Sequence, residues 1–548
     1  DWIYRRKLST FADVQEYAFR HDSLSTAIYK TITSDLLQQA HALAAAWLIA
    51  RNGSQAQNHA AIIAYHFEQA QDLHNASDWY QQAALFAQNA YMPETAITNY
   101  QQALQLLPDT REYAAQRIEM NAGLGDMLQK QARFETAVSA FSEMRVAALR
   151  IQNHQAERQA YRAMMLSYGF QGEFATLLQV SKEAEKAARA MHAQEDVAFA
   201  LAGQSWAYLA ANNISQAVKP GRESLSISTA AVARLETAIS HAVLANIGRV
   251  AARYDQAARL LERAQTLFRQ EGERRWEALM LANLAYLAQA QEQDEQAQVY
   301  YQESLRIAQD IGDYFGAILA LRNLGRIVQR HGEFMQAQNF YQQALVFAEK
   351  SGTMLYRAGI AGELGDMHFR WSLLSEDDIG IVDIEANIQY AYAWFERAVT
   401  LGKASNQPTI VAEALVGRSR LQLGDSEFTG AIATLAEAIV LLMPVVEVAI
   451  SKQSPRLALA LAWRTLALVM MQLPEEDLPV TVDGQMVMPR DCFAESVTLY
   501  AQSKQKGLRE RVKTLEIWAD YEGGQGNGVR QAALLREAEQ LQQASLPG

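Results

Sequence analysis

The sequence predicts an all-α protein: a solenoid of stacked helix pairs, with a short foreign module at its front and one small β-hairpin set into it. Three observations predict this. Helix breakers are scarce, since 548 residues contain only 10 Pro and 29 Gly, about half the usual proline share, while the good helix formers Ala, Gln, Leu and Glu abound. An apolar pattern with offsets of 3, 4 and 3 residues recurs, and those offsets place side chains on one helix face. The pattern also keeps a period of 40 residues, with central positions Ala137, Leu177, Ala217, Ala257, Ala297 and Ala337. Six evenly spaced copies mark a repeat architecture. Units that cannot bury their own faces must stack.

Composition bounds the function classes. Half the residues are hydrophobic and 20% charged, which gives a sizeable core and excludes a wholly disordered chain. The formal net charge of −12 opposes nonspecific nucleic-acid binding over the whole surface. Cys492 is the only cysteine, so one chain holds no disulfide framework and no Cys-based zinc site, and a reducing, cytoplasmic setting fits. No stretch is expected to reach the ~20 apolar residues of a membrane span. The most apolar run, 432–450, is interrupted by Glu437, Pro444 and Glu447.

The elements follow in order. Residues 1–52 read differently from the rest: Phe19-Arg20-His21-Asp22, Leu24 and Tyr29 precede a helix expected from about Ser34 to Arg51. Residues 53–110 read as leading helical repeats, through Ala64-Tyr65-His66-Phe67, Trp79-Tyr80 and Tyr100, ending near Pro108. Residues 111–374 form the regular forty-residue array. In each repeat the motif above is the second helix, as in Phe334, Ala337, Tyr341 and Ala344. Leu281-x-Asn283-Leu284-Ala285 and Leu321-x-Asn323-Leu324-Gly325 mark the first helix, and Gly332-Glu333-Phe334 the turn between. Asn246-Ile247-Gly248 looks like Asn323-Leu324-Gly325 but sits three residues nearer its second helix, through either a shortened turn or an accidental likeness.

Residues 375–548 continue the array with two insertions. The step from Ala337 to Ala391 is 54 residues, and the extra 14 fall at about 375–388, an acidic stretch with Glu376, Asp377, Asp378, Asp383 and Glu385. Ala431 follows after 40. The second insertion, about 473–490, holds Val480-Thr481-Val482-Asp483-Gly484-Gln485-Met486-Val487, where Asp-Gly between β-prone runs signals a hairpin. A final helical pair, split by Gly523 to Gly528, caps the array through Leu546.

The pattern Asn-Leu-Gly, then Gly-x-Phe-x-x-Ala with Tyr341 and Ala344, resembles the tetratricopeptide repeat (TPR), in the longer-period form of kinesin-light-chain-like and Rap-like arrays. This resemblance implies a right-handed superhelix whose first helices line a concave face. Phe19, His21, Leu24, Tyr29, Ala64, His66, Phe67, Ala70 and Asp72 resemble the junction of STAND-type signal-transduction ATPases, including LuxR-type and cyclase-linked bacterial regulators. There the end of a winged-helix module runs into TPRs, and Gln71 stands where that family usually has Gly. The resemblance implies an ATPase core before Asp1, through which oligomerisation would run.

Motifs for chemistry are absent or bland. No Gly-x-x-x-x-Gly-Lys-Ser/Thr loop occurs, and Gly523 to Gly528 reads as an inter-helix loop. His59 and His66, seven apart, are expected on one helix face as packing residues rather than metal ligands. Cys492 has no His or Asp at a diagnostic spacing. The acidic insertion lacks a calcium-loop pattern. The reading is therefore no catalytic residue, no metal and no cofactor. The expected site is a peptide- or protein-binding groove lined by Arg162, Trp206, Asn246, Arg249, Asn283, Tyr286, Gln289, Arg322, Asn323, Arg326, Gln329, Asp366 and Phe369. Its asparagines would bond an extended backbone and its arginines an acidic group. Against this stands plain structure, with Arg322 and Arg326 paired to Glu363 and Asp366 of the next repeat. The expected function is a non-catalytic sensor or scaffold of a signalling ATPase or transcription regulator. The alternatives are a free-standing quorum-type peptide receptor, or the interaction domain of a cyclase or protease.

Overall fold

The computed structural model describes residues 2–6, 15–90, 92–211, 213–374, 383–448, 453–503 and 505–544. They form twenty-five α-helices, two 3-10 segments and two pairs of three-residue strands. The chain divides into two compact units, one of Asp1–Gln129 with Glu135–Met164 and one of Lys130–Phe134 with Met165–Gly548.

In the first unit, Ile3–Arg5 pairs antiparallel with Tyr17–Phe19, Ile3 opposite Phe19. Helices Asp22–Thr31 and Ser34–Asn52 follow. His59 ends a 3-10 segment, Gly53–His59, while His66 lies in helix Ala60–Gln69. The two do not share one helical face, because the chain changes its winding between them. His66 instead meets His41, Nδ1 to Nδ1 at 2.7 Å, and His41 Nε2 meets the Tyr29 hydroxyl. Three successive helices are thereby joined through polar groups. Tyr100 donates to Gln88, and a Cβ at Gly123 would lie 2.5 Å from the Tyr100 ring.

The second unit shows the origin of the forty-residue period. From Phe174 to Arg330 the helices each span 17 residues, and three-residue turns join them. Each turn contains one left-handed residue. In chain order these are His192, Val232, Ala252, Gly272, Glu292, Gly312, Gly332 and Gly352, spaced by twenty wherever neighbouring turns are described. The amide after the left-handed residue reaches back five positions, as in Glu333 N to Val328 O (3.0 Å), Asp313 N to Ala308 O (2.8 Å) and Arg253 N to Gly248 O (2.8 Å). This is the six-to-one bond that closes a helix C-terminus. Val232 and Ala252 keep the spacing around helix Arg234–Val250, so no turn is shortened there. The likeness of Asn246-Ile247-Gly248 to Asn323-Leu324-Gly325 is accidental, and Asn246 occupies the place of Arg326.

Within a pair the second helix drives an aromatic ring into the backbone of the first. A Cβ at Gly325 would lie 2.6 Å from Tyr341, and one at Gly365 2.6 Å from Phe395. Ala337, Tyr341 and Ala344 are fully buried. The Tyr341 hydroxyl donates to Gln329 (2.8 Å) and that of Tyr301 to Gln289 (3.2 Å), which satisfies a buried polar group. The turn 130–134 belongs to this unit because Arg133 Nε donates to Ser351 O (3.0 Å), Thr353 Oγ1 donates to Ala132 O (3.2 Å), and Phe134 meets Phe315 edge-on.

Most of the acidic insertion, residues 375–382, lies outside the described residues. Asp383 caps helix Ile384–Ala404 by accepting from Ala386 N (2.8 Å). The expected hairpin is present: Val480–Val482 pairs with Gln485–Val487, and both loop residues, Asp483 and Gly484, have positive φ. Gly523 and Gly524 are helical rather than loop, and helix Gly528–Ala544 begins three residues later. The stretch Phe428–Val446 is, against expectation, long and apolar enough to cross a membrane by length and composition, with a mean hydropathy of 2.0. Glu437 and Pro444 dilute it too little. Its Ala431, Leu435, Ala438, Ile439 and Leu442 form a stripe buried in the core of the unit.

Val232 is the costliest of the left-handed residues, being β-branched with φ near 57° and 80% exposed. A side chain there costs about 1–2 kcal/mol. Val232→Gly is expected to stabilise the protein by about 1 kcal/mol, read as a higher melting temperature by circular dichroism. An unchanged or lower one contradicts the left-handed closure.

Candidate functional site

The twenty-residue spacing places equivalent residues of successive first helices in one register. Trp206, Asn246, Tyr286, Arg326 and Asp366 are 40 apart, and Arg420 follows Asp366 by 54, the period plus the 14-residue insertion. Two cavities open along this face of the second unit.

The first cavity, about 460 Å³, is largely apolar, with aromatic walls from Phe170, Trp206, Trp276 and Phe315. Trp206 is seated against Gly169, where a Cβ would collide with its ring. Its polar groups include Asn246, Arg249 and Asn283. The asparagines do not present their amide nitrogens outward: Asn246 Nδ2 donates to Ala242 O (3.2 Å) and Asn283 Nδ2 to Leu279 O (3.0 Å). Each saturates the carbonyl one turn earlier in its own helix. Arg249 Nε donates to Asn246 Oδ1 (3.3 Å), and its guanidinium lies over the Tyr286 ring.

The second cavity, about 670 Å³, is built by helices Tyr314–Arg330, Met354–Trp371, Pro408–Gly424 and Gln453–Met470, with Tyr341 and Phe395 from the second helices. Five arginines line it (Arg322, Arg326, Arg330, Arg370 and Arg420), together with three carboxylates, Glu363, Asp366 and Glu413. Arg322 holds Glu363 with two bonds, 2.9 and 2.8 Å, and Arg326 shares the same carboxylate. Burial alone would raise the Glu363 pKa, but Arg322 and Arg326 outweigh it and hold the carboxyl below its ordinary value. Asp366 Oδ2 accepts from Arg370 Nε (2.7 Å) and Gln329 Nε2 (2.9 Å). Burial pushes the Tyr356 hydroxyl pKa up, so it stays a neutral donor.

Of the residues expected from the sequence, Arg322, Arg326, Gln329 and Asp366 meet in the charged cavity and Trp206, Asn246, Arg249 and Asn283 in the apolar one. Arg162, Tyr286, Gln289, Asn323 and Phe369 line neither. Gln289 is held by Tyr301, Asn323 Nδ2 donates to Leu319 O, and Phe369 is buried under Arg420, whose guanidinium lies 4.3 Å from the ring centroid. The expected pairing of Arg322 and Arg326 with the next repeat is present on Glu363, while Asp366 is taken by Gln329 and Arg370. Sequence reading missed Glu363, Arg370 and Arg420 as groove residues. The register had a signal for each, since they follow Asn323, Arg330 and Asp366 by one repeat.

Neither cavity carries a reactive constellation. Among the described residues no three His, Cys, Asp or Glu side chains could hold a metal. Cys492 is fully buried against Met470 sulfur (3.9 Å), and burial pushes its thiol up to about 12, far from a nucleophilic thiolate.

Residues 276–350 match the tetratricopeptide repeat family, and the chain carries such repeats in an array of helix pairs. No curated protein matches the sequence. The solved structures similar to it include the apo form of RapI, at 10% identity and a TM-score of 0.49, covering 70% of this chain and 97% of that one. The apo quorum sensor NprR from B. thuringiensis is similar at 12% identity and 0.46, covering 70% and 98%. A signal transduction ATPase with numerous domains and a tetratricopeptide repeat sensor, from Pyrococcus horikoshii, is similar at 12% identity and 0.43, covering 70% of this chain and 55% of that one.

Removing Glu363 strands two guanidiniums in a partly buried site. Glu363→Ala is expected to cost about 3 kcal/mol at pH 7, measured by urea unfolding. With its folded pKa depressed, Glu363 stabilises fully above about pH 4.5 and loses that effect as pH falls through the folded value. The gap between wild type and variant should therefore shrink in acid. A gap that is constant with pH contradicts the ion-pair reading.

Proposed function

We propose that this chain is a non-catalytic binding region whose first-helix face holds an extended protein or peptide segment. The observation that carries this is the helix Tyr314–Arg330 lining both cavities, Phe315 in the apolar one and Arg322 in the charged one. Seven residues of helix separate them, about 10 Å. An extended segment of roughly three to four residues spans that distance, whereas a small molecule filling one cavity would leave the other open. Aromatic walls with a few fixed polar groups suit an apolar side chain, and guanidiniums suit a polar or acidic one.

The wider role we infer is that of a sensor or scaffold in a larger signalling ATPase or transcription regulator. Its support is the Phe19-Arg20-His21 junction, which in the structure is a strand pair followed by helix Asp22–Thr31. In that role occupancy of the groove would shift an equilibrium between resting and active states. A free-standing peptide receptor would use the same groove.

The test is selection of a random peptide library on the whole chain, followed by fluorescence anisotropy. Enriched peptides are expected to lose at least about tenfold in affinity with Trp206→Ala or Arg326→Ala, roughly 1.4 kcal/mol. Val299→Ser, on an exposed second-helix surface, should leave affinity unchanged. Peptides indifferent to the groove substitutions contradict the reading.

A further inference from the structure

The charged cavity is not neutral. Its five lining arginines exceed its three lining carboxylates by two, in a chain whose net charge is −12. Arg330 is met by Asp294 outside the cavity at 2.7 Å. The remaining four guanidiniums fall mainly on two carboxylates. Glu363 serves Arg322 and Arg326. Asp366 serves Arg370 at 2.7 Å, and its other oxygen stands 3.9 Å from Arg420, too far for a hydrogen bond. Arg420 is nonetheless fixed, its guanidinium lying over Phe369, so it is oriented without being neutralised. Burial lowers its pKa, and Arg370 and Arg464 lower it further by crowding it with like charge.

The floor beside it is bare. Gly359 and Gly362 bring backbone to the cavity, and a Cβ at Gly359 would come within 3.3 Å of Arg322 Nη2. Backbone can therefore approach the arginines closely. Charge of one sign held in a partly desolvated concavity raises the local concentration of the opposite sign.

We propose that this cavity receives an acidic side chain of the bound segment, with Arg420 as its anchor and Arg326 and Arg370 flanking. A planar carboxylate meets the free edge of a stacked guanidinium with two parallel bonds. The segment is thus one that places Asp or Glu three to four residues from an apolar side chain seated near Phe315. This rests on the binding reading above.

The experiment uses the whole chain and three fluorescein-labelled peptides that share a Trp-Leu-Gly start and end in three glutamates, three glutamines or three phosphoserines. The glutamate peptide is expected to bind about tenfold tighter than the glutamine peptide. Arg420→Gln should abolish that preference while leaving glutamine-peptide binding as it was. Arg420→Lys, which keeps the charge but loses the planar fork, should restore the preference only in part. Unchanged helical circular dichroism shows that the variants are folded. Equal binding of the first two peptides, or a preference that survives Arg420→Gln, overturns the acidic-group proposal and leaves the groove reading standing. A phosphoserine peptide tighter than the glutamate one by more than about tenfold overturns the carboxylate assignment in favour of phosphate. No binding of any of the three overturns this proposal and weighs against the groove reading as well.

Discussion

Everything in the second unit depends on one backbone constraint, the left-handed residue that closes each helix. An α-helix does not end by itself; its last carbonyls must find donors. Here the amide beyond each left-handed residue supplies one, reaching back five positions, as from Glu333 to Val328. Because the closure returns every twentieth residue, helices and turns are equal in length, and each pair presents the same faces as the last. Where the closure falls on Gly312, Gly332 and Gly352 it is free of strain. Where it falls on Val232 or Glu292 the surrounding packing holds it in place.

The equal lengths make a binding face possible. Residues 40 apart in the chain become neighbours across helices, so Arg326 and Asp366 stand side by side and Arg420 joins them beyond an insertion that bulges out without disturbing the register. The two sides of a pair do different work. Second helices supply rings such as Tyr341 that fill gaps over Gly325. First helices supply the polar rows. Those rows are partly consumed by the fold: Gln289 and Gln329 answer buried tyrosine hydroxyls, and Asn283 and Asn323 bond their own helices. What is left over, the aromatic walls near Trp206 and the under-neutralised Arg420, is what a ligand can use.

The period, the helix pairs and the Asp-Gly hairpin were legible because each is a local rule repeated: one apolar face, one small residue for one ring, one turn chemistry. The register of Asn246 was not legible, because an Asn-x-Gly triplet carries no mark of its depth in a helix; only the turns at Val232 and Ala252 fix it. Of the site, Arg322, Arg326, Gln329 and Asp366 were found through their spacing. Glu363 and Arg370 were passed over although they lie one repeat beyond Asn323 and Arg330. Arg420 needed the 14-residue insertion carried through the arithmetic. His41 and His66 come together through a change of winding at His59, which no spacing rule records. The apolarity of Phe428–Val446 was underestimated, because two interrupting residues do not remove a buried stripe that lies on one side of the helix.

The central claim is that first helices bind and second helices only build. Hydrogen exchange of the whole chain, with and without a groove-selected peptide, tests it most directly. The account predicts added protection in Tyr314–Arg330, Met354–Trp371 and Pro408–Gly424, with Phe334–Ser351 and Phe428–Val448 unchanged. Protection confined to the second helices would contradict it.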